Sequence, residues 1–470
     1  MTRRRLRLLS FFALSTFAAG CAVIDSAAPP SFEVPDRSPT DVGEVVYTGE
    51  DGNIYTVDAR SGKTTAITTR SERHGGRPYN FVQPMWSPDG TRISFTGTFF
   101  PEGERRRHFI YVNNVETGII EVHETGVDQP PAYVQWAPDG RRISYARTSA
   151  TGATVELVIW DLETDESQVV LTGRPIFWDW APDGSYLAAH TGASAFTAGG
   201  GTLHVITQQN NRYEARELPA STAFFQTPVV NPAGDVFAAS LQGSGVTNRV
   251  AFFARDGTEY EEVAAISSAG AFAWSPDGER LAYLDGSSRQ SGGLIGTLRL
   301  IDRHGSPPTA GGPRGGAVTA GAISSGPLPE RTTAHSEPPL TGVNSFAWSP
   351  DGSLIAYFQP SVLAADEEAG TRRRRQNVLG IIESDTGRVR RLGPVVPSVE
   401  FHGTYVPYFD QYNRSGTIWS PDSRYVLLNA QTEDENRPGI YLVDVETMER
   451  ELIAHGHMPF WRPVADSARM

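Results

Sequence analysis

The stretch Trp86-Ser87-Pro88-Asp89-Gly90 decides the fold of this chain, because the chain repeats it. Pro presets φ for the second position of a tight turn, Asp tolerates the position that follows, and Gly accepts a left-handed exit. Further copies begin at Trp136, Trp180, Trp274, Trp348 and Trp419, and a degenerate copy begins at Asn231. Repeats with a period of roughly 40 to 50 residues indicate an array of one supersecondary unit.

Each turn is followed by short segments with strand character. The first is an alternating strand such as Arg142-Ile143-Ser144-Tyr145. The second is an aromatic or β-branched strand that ends at an acid and a Gly turn, as in Ile54-Tyr55-Thr56-Val57-Asp58. Another strand follows, for example at residues 64–68. Four short strands per repeat, with turn chemistry between them, are typical of a propeller blade.

The two ends of the chain carry complementary fragments of the repeat. Residues 44–69 hold the later strands of a blade with no turn phrase before them, and Phe460-Trp461-Arg462-Pro463 is a truncated phrase with no strand after it. We therefore predict an all-β fold, a single propeller of four-stranded antiparallel blades over residues 44–463. Eight blades is the count, with seven as the alternative if residues 226–266 pack irregularly. The C-terminal strand would join the N-terminal blade and protect its edge.

These turns and strands resemble the TolB-type β-propeller repeat family, and the propellers of dipeptidyl-peptidase-IV-like proteins. The resemblance implies a propeller fold and a TolB-like role as a protein-interaction or ligand-binding module of the cell envelope. The chain has no Gly-x-Ser-x-Gly segment, so the peptidase type of nucleophile is absent from the sequence.

The N-terminus has the pattern of a targeting segment. Four arginines between Arg3 and Arg7 precede an apolar run from Leu8 to Ala18, which leads to Ala18-Ala19-Gly20-Cys21. This arrangement resembles a bacterial lipoprotein signal, so we predict that residues 1–21 are a signal peptide ending at a lipidated Cys21. The protein is then extracytoplasmic and lipid-anchored to a bacterial membrane, either periplasmic or at the cell surface. Cys21 is the single cysteine, so no internal disulfide is possible.

Three segments outside the repeats are low in complexity or short. Residues 22–43 are predicted to be a flexible tether, and residues 464–470 a tail. Residues 305–341 are rich in Gly, Pro, Ala and Ser, and are interpreted as a disordered insertion in the propeller.

The composition and the motifs of the chain limit the kinds of functional site that it can form. The net charge of −13 argues against a nucleic-acid partner, and neither a phosphate-binding loop nor a His-Glu-x-x-His motif is present. His74, His402, His455 and His457 fall in loops of one class, and imidazoles near one channel mouth can bind zinc or manganese. Their spacing is not diagnostic, so we predict no metal and no cofactor, with these four as the candidates if a metal binds.

The strongest feature outside the repeats is an aromatic stretch that runs from His402 to Arg414. It replaces a short connection before the last blade, in the loop class that gathers at the channel mouth. Aromatic rings together with Arg and Asp suit recognition of a partner. The predicted partner-binding residues are Tyr405, Tyr408, Phe409, Asp410, Tyr412, Arg414 and Trp178. The alternative is that these rings fill the channel, and the two interpretations are compatible.

The leading functional prediction is a membrane-anchored propeller that binds an envelope protein, a peptide or a carbohydrate at its channel mouth; the sequence favours a non-enzyme but leaves catalysis open. A second hypothesis is a lyase or hydrolase that acts on polysaccharide or peptide at the channel. A third is a solute-binding lipoprotein associated with a transporter, which a deep polar pocket would favour.

Overall fold

The computed structural model describes residues 43–69, 80–101, 103–192, 200–223, 226–243, 248–267, 270–286, 295–304, 340–362, 375–432 and 437–464. The predictions for residues 1–42, which include Cys21, lie outside these ranges. So do His74, residues 305–339 of the low-complexity insertion and residues 465–470 of the tail.

The described chain is almost entirely β-structure. The first three groups of strands are β1 (Glu44–Gly49), β2 (Ile54–Asp58) and β3 (Thr64–Ala66); β4 (Asn80–Trp86), β5 (Arg92–Phe99), β6 (Arg107–Asn114) and β7 (Ile120–Val127); β8 (Pro131–Trp136), β9 (Arg142–Thr148), β10 (Val155–Asp161) and β11 (Glu166–Gly173). The next two are β12 (Ile176–Trp180), β13 (Tyr186–Gly192), β14 (Gly201–Gln209) and β15 (Arg212–Thr222); β16 (Val229–Val230), β17 (Val236–Leu241), β18 (Asn248–Ala254) and β19 (Tyr260–Ile266). The last three are β20 (Phe272–Trp274), β21 (Arg280–Asp285) and β22 (Thr297–Asp302); β23 (Ser345–Trp348), β24 (Leu354–Val362), β25 (Arg375–Glu383) and β26 (Val389–Arg391); β27 (Tyr425–Gln431), β28 (Pro438–Asp444) and β29 (Arg450–Trp461). Helical turns occur at Phe401–Tyr405 (π), Val406–Tyr408 (3-10) and Phe409–Tyr412 (α).

The strands form the blades of a β-propeller. Five groups have four antiparallel strands each, in chain order: β4–β7, β8–β11, β12–β15, β16–β19 and β23–β26. A pair between Thr222 and Leu241 joins the β12–β15 blade to the β16–β19 blade. The strands β20, β21 and β22 form a three-stranded sheet, and β27–β29 form one sheet with β1–β3. The predicted four-stranded antiparallel blade is therefore the unit of the fold.

The final strand, β29, belongs to two hydrogen-bonded ladders. Its first part pairs with β28, from Arg450 opposite Val443 to His455 opposite Gly439. Its second part pairs with β1, where Val45 lies opposite Trp461. The sequence predicts this last pairing.

A glycine separates the two parts of β29. Gly456 has a φ of +157°, and a Cβ atom there would lie 2.4 Å from the backbone oxygen of Thr48. Only glycine therefore fits at the change of partner.

The repeated Pro-Asp-Gly phrase forms a turn, and its Asp side chain stabilises that turn by hydrogen bonds. Ser87 Oγ donates to Asp89 Oδ1 at 2.5 Å, and the backbone N–H of Thr91 donates to the same oxygen at 3.0 Å. Gly90 then leaves the turn with a φ of +67°. The copies at Ser275, Ser349 and Ser420 use the same Ser–Asp bond. The repeated Asp is thus a turn residue.

The Trp of the phrase connects neighbouring blades. Its indole N–H donates to a backbone carbonyl on the first, innermost segment of the preceding blade. These bonds are 3.0–3.1 Å long, in the pairs Trp274–Val229, Trp348–Ala273, Trp419–Ala347 and Trp461–Ile418. An Arg from one blade also lies over the Trp of the next, as with Arg92 over Trp136, at 5.0 Å from the ring centroid. The repeat therefore specifies the contacts between blades as well as the turns.

Candidate functional site

The aromatic stretch before the last blade is helical and lies among the inner strands; we call residues 399–414 the plug segment. The sequence places this stretch in a loop, but its rings recur with helical spacing at Phe401, Tyr405 and Phe409. All three are buried. Phe401 stacks on Tyr405, with ring centroids 5.1 Å apart, and Phe409 packs edge-on against Phe346 at 5.2 Å. The spacing is the signal that would have predicted a helix.

Polar side chains connect the plug segment to inner strands of several blades. The Gln411 amide accepts from the backbone N–H of Trp178 and donates to its carbonyl, both at 3.1 Å, as a neighbouring strand would. Asp410 Oδ2 accepts from Thr227 Oγ1 at 3.2 Å. Two further bonds run from Gln83 to the Tyr412 hydroxyl, at 3.1 Å, and from Asn413 to the Phe346 carbonyl, at 2.9 Å. The segment is therefore fixed from several sides.

A buried ion pair lies under the end of the plug segment. Arg414 Nη1 is 3.4 Å from Asp179 Oδ2, and that oxygen also accepts from the backbone N–H of Val230 at 2.9 Å. Gln135 Nε2 lies 3.4 Å from both Asp179 Oδ1 and the Arg414 carbonyl oxygen. Burial raises the pKa of the Asp179 carboxyl, and the Arg414 charge acts in the opposite direction. The sequence indicated Arg414 as a site residue, but Asp179, Gln135 and Gln411 were not among the predicted residues.

One ring of the plug segment reaches the surface. Tyr408 is 36% exposed, and Val399, nine residues earlier in the segment, is 72% exposed. The Tyr408 ring packs edge-on against Tyr133, with centroids 5.8 Å apart, and against Phe177 at 6.3 Å. We call these two exposed apolar residues of the plug segment, Val399 and Tyr408, the plug face. Its aromatic ring is positioned by packing, so little of its side-chain freedom remains to be lost on binding.

The seven predicted partner-binding residues lie in or against the plug segment, but they differ in exposure. Tyr408 is exposed and Arg414 is half-buried. The other five have buried side chains: Trp178, Tyr405, Phe409, Asp410 and Tyr412. Most of these side chains therefore pack against the inner strands, as the alternative in which the rings fill the channel would require. A direct contact with a partner stays a prediction.

The predicted metal candidates do not form a ligand cluster in the described ranges. His402 lies in the plug segment, while His455 and His457 lie on β29. His457 Nδ1 is 2.7 Å from Glu400 Oε2, which places a carboxylate of the plug segment against the closing strand. Among the described residues, no three His, Cys, Asp or Glu side chains are grouped so that they could hold a metal ion.

Comparison with known proteins identifies the class of fold. No protein-family model matches the chain, and no curated protein matches it. Among solved structures, dipeptidyl peptidase 4 from Porphyromonas gingivalis is similar over 90% of this chain and 59% of its own length, at 12% identity and a TM-score of 0.51. The fold and this likeness define the chain as a β-propeller protein.

Two further solved structures are similar to this chain at low identity and with lower TM-scores. TolB from Acinetobacter baumannii is 18% identical over 57% of this chain and 63% of its own, with a TM-score of 0.34. An oligogalacturonate lyase in complex with manganese is 15% identical over 84% of this chain and 94% of its own, with a TM-score of 0.46. In the described part of this chain, no helix has the length and hydropathy to cross a bilayer.

Proposed function

We propose that this protein is a lipid-anchored, extracytoplasmic binding module of a bacterial cell envelope, and that it binds a partner protein through the plug face. The observation that carries the proposal is the fixed position of Tyr408. Its ring is partly exposed within a segment that the inner strands hold by hydrogen bonds from Gln83, Trp178 and Thr227. Rigid aromatic side chains at a surface are typical of binding hot spots.

The filled ring centre supports binding rather than passage of a substrate through the ring. Tyr405 and Tyr412 occupy positions between the inner strands, and burial raises the pKa of both phenols. Neutral, buried phenols contribute packing and hydrogen bonds, as the Tyr405 hydroxyl does when it donates to Asn413 Oδ1 at 2.6 Å. The buried members of the predicted set would then support the plug face, and Tyr408 would contact the partner.

We further propose that the ring has eight blades and closes through β29. Eight inner segments support this count, seven of them ending at Trp86, Trp136, Trp180, Val230, Trp274, Trp348 and Trp419, and the eighth at Trp461. The indole bond from Trp461 to Ile418 has the same form as those between the preceding blades. A closed ring would hold the plug segment from all sides.

Substitutions on the plug face are expected to abolish partner capture. The double variant Tyr408→Ala, Val399→Asp removes the exposed ring and places a charge at the other exposed apolar residue of the plug segment, so recovery of a crosslinked envelope protein should fall at least about tenfold. The measurement is quantitative mass spectrometry of crosslinked complexes from envelope fractions. Val169→Asp is the matched control, because Val169 is a 42% exposed valine on the outer strand β11. Equal recovery from the double variant and the unaltered protein would remove the plug face from the proposal.

Substitution of Cys21 is expected to abolish lipid attachment. In cells fed labelled palmitate, Cys21→Ser should lose the label, and the protein should move from the membrane to the soluble fraction, because the lipidated side chain is gone. Ala22→Ser, one residue along, is the control and should keep the label. Persistent labelling of Cys21→Ser would contradict the anchor and leave the plug-face prediction standing.

A further inference from the structure

A cleft of about 850 Å³ opens between the β12–β15 and β16–β19 blades, away from the plug segment. Tyr186 and Val205 line its buried part. One wall carries Glu214 and Arg216 from β15, and Arg255 comes from the blade opposite. The volume lies within the range of roughly 300–1,000 Å³ that is usual for pockets that bind small ligands.

The degenerate repeat lies at the same junction between blades as the cleft. At the neighbouring junction, the Arg142 guanidinium covers the Trp180 ring at 4.9 Å. At this junction Val230 stands where the other phrases have Trp, and Tyr186 stands where Arg142 stands in its blade. The Tyr186 hydroxyl donates to the Gly234 carbonyl at 3.3 Å. The chain thus has an opening where its repeat departs from the pattern.

Two arginines extend into the cleft from opposite walls. Arg255 Nη2 donates to Ser185 Oγ at 2.5 Å, and it lies 3.3 Å from Asp183 Oδ2. Arg216 Nη2 donates to the Asp256 carbonyl. A guanidinium has five N–H donors, so each arginine keeps donors for a further acceptor. Carboxylates match this geometry, since they accept two parallel bonds from one guanidinium.

An acidic group lies beside one of these arginines. Glu214 is two residues from Arg216 on β15, so both side chains lie on the same face of the strand. Its carboxylate is exposed and lines the cleft. Small apolar residues, Ala215 and Ala254, line the cleft on its two sides. The cleft therefore offers cationic, anionic and apolar surfaces within one volume.

We propose that this cleft binds a short zwitterionic peptide, with its carboxylate between Arg216 and Arg255 and its ammonium group at Glu214. Small side chains of the peptide would contact Val205 and Ala254. The site does not depend on the plug face, so either can fail without the other.

The test is isothermal titration calorimetry of the full chain in detergent with tetra-alanine, whose two termini are free. Tetra-alanine is expected to bind, and the N-acetylated and C-amidated forms should each bind about tenfold to a hundredfold more weakly, because each loses one charged contact. Arg216→Gln should weaken binding by a similar factor. Arg141→Gln is the matched control, since Arg141 is an exposed arginine paired with Glu163 in another blade. It should bind like the unaltered protein.

A second variant keeps the test independent of the charge change. Thr207→Trp places a large ring in the cleft, because Thr207 lines the cleft and lies opposite Glu214 on the same face of the sheet, and it should abolish binding while the chain stays folded by circular dichroism. The proposal is overturned if tetra-alanine gives no binding at millimolar concentration, or if both capped peptides bind as well as the free one. Tighter binding of maltotetraose, or full binding by Thr207→Trp, would overturn it as well.

Discussion

Replacement of Trp461 by alanine is expected to lower the free energy of unfolding by about 3–5 kcal/mol, the range for a large buried aromatic residue. Trp461 is 1% exposed and lies opposite Val45 in the ladder between β29 and β1. Its indole N–H donates to the Ile418 carbonyl at 3.1 Å, so the variant also removes one of the two donors to that carbonyl, the other being the backbone N–H of Leu427. Equilibrium unfolding in urea, followed by tryptophan fluorescence and circular dichroism, measures the change.

Two variants separate the contributions of Trp461. Trp461→Phe keeps most of the ring but loses the indole bond, and it should cost about 1 kcal/mol more than Trp136→Phe. The Trp136 indole nitrogen has no hydrogen-bond partner in the described chain, which makes that variant the matched control. Val464→Ala alters a 70% exposed residue near the same end and should stay within about 0.5 kcal/mol. A loss below about 1 kcal/mol for Trp461→Ala would contradict the role of β29 in the ring.

Replacement of Arg414 by methionine is expected to lower the free energy of unfolding at neutral pH by about 3–5 kcal/mol, because it leaves the Asp179 charge buried without a counter-charge. The side chains of Asp179 and Arg414 are only 7% and 17% exposed. The control is Arg424→Met, whose ion pair with Asp444 involves a 43% exposed arginine and should contribute less than about 1 kcal/mol.

The pH dependence of the Arg414 variant identifies the buried charge as the cause. Burial holds the pKa of Asp179 above its unfolded value, so between the unfolded and folded pKa values the folded state binds more protons, and stability falls as the pH rises through that range. Loss of Arg414 raises that pKa further. The deficit of Arg414→Met should therefore shrink as the pH falls from neutral, and the double variant with Asp179→Asn should recover part of it. A deficit that is independent of pH would point to lost packing instead.

The fold is predictable from the sequence because its information is local and repeated. The Pro-Asp-Gly turns specify where strands begin, and the structure uses Asp89 and Gly90 as turn chemistry requires. The pairing of Trp461 with Val45 follows from two fragments that complete each other. The β20–β22 sheet has three strands where the repeat predicts four, because the sequence after it has no strand pattern.

The site is only partly predictable, because its contacts are made by residues far apart in the chain. The aromatic stretch was recognised by composition, but whether Tyr405 and Phe409 face inwards depends on helical spacing and on the width of the ring. The Asp179–Arg414 pair joins residues 235 positions apart, and no local pattern indicates it. The cleft lies at the junction that carries the degenerate copy at Asn231, but nothing local in the sequence indicates a cleft there.

The sharing of β29 between two ladders has a consequence for the order of folding. The ribosome makes Glu44–Gly49 long before Trp461, so β1 waits for all the strands between them before its partner β29 exists. Blades between them need only nearby residues and can assemble during synthesis. Completion of the sheet that β1 and β29 share therefore follows the synthesis of the intervening blades, and a nascent chain that stalls before β29 exposes a β1 edge on which chaperones or other chains can act.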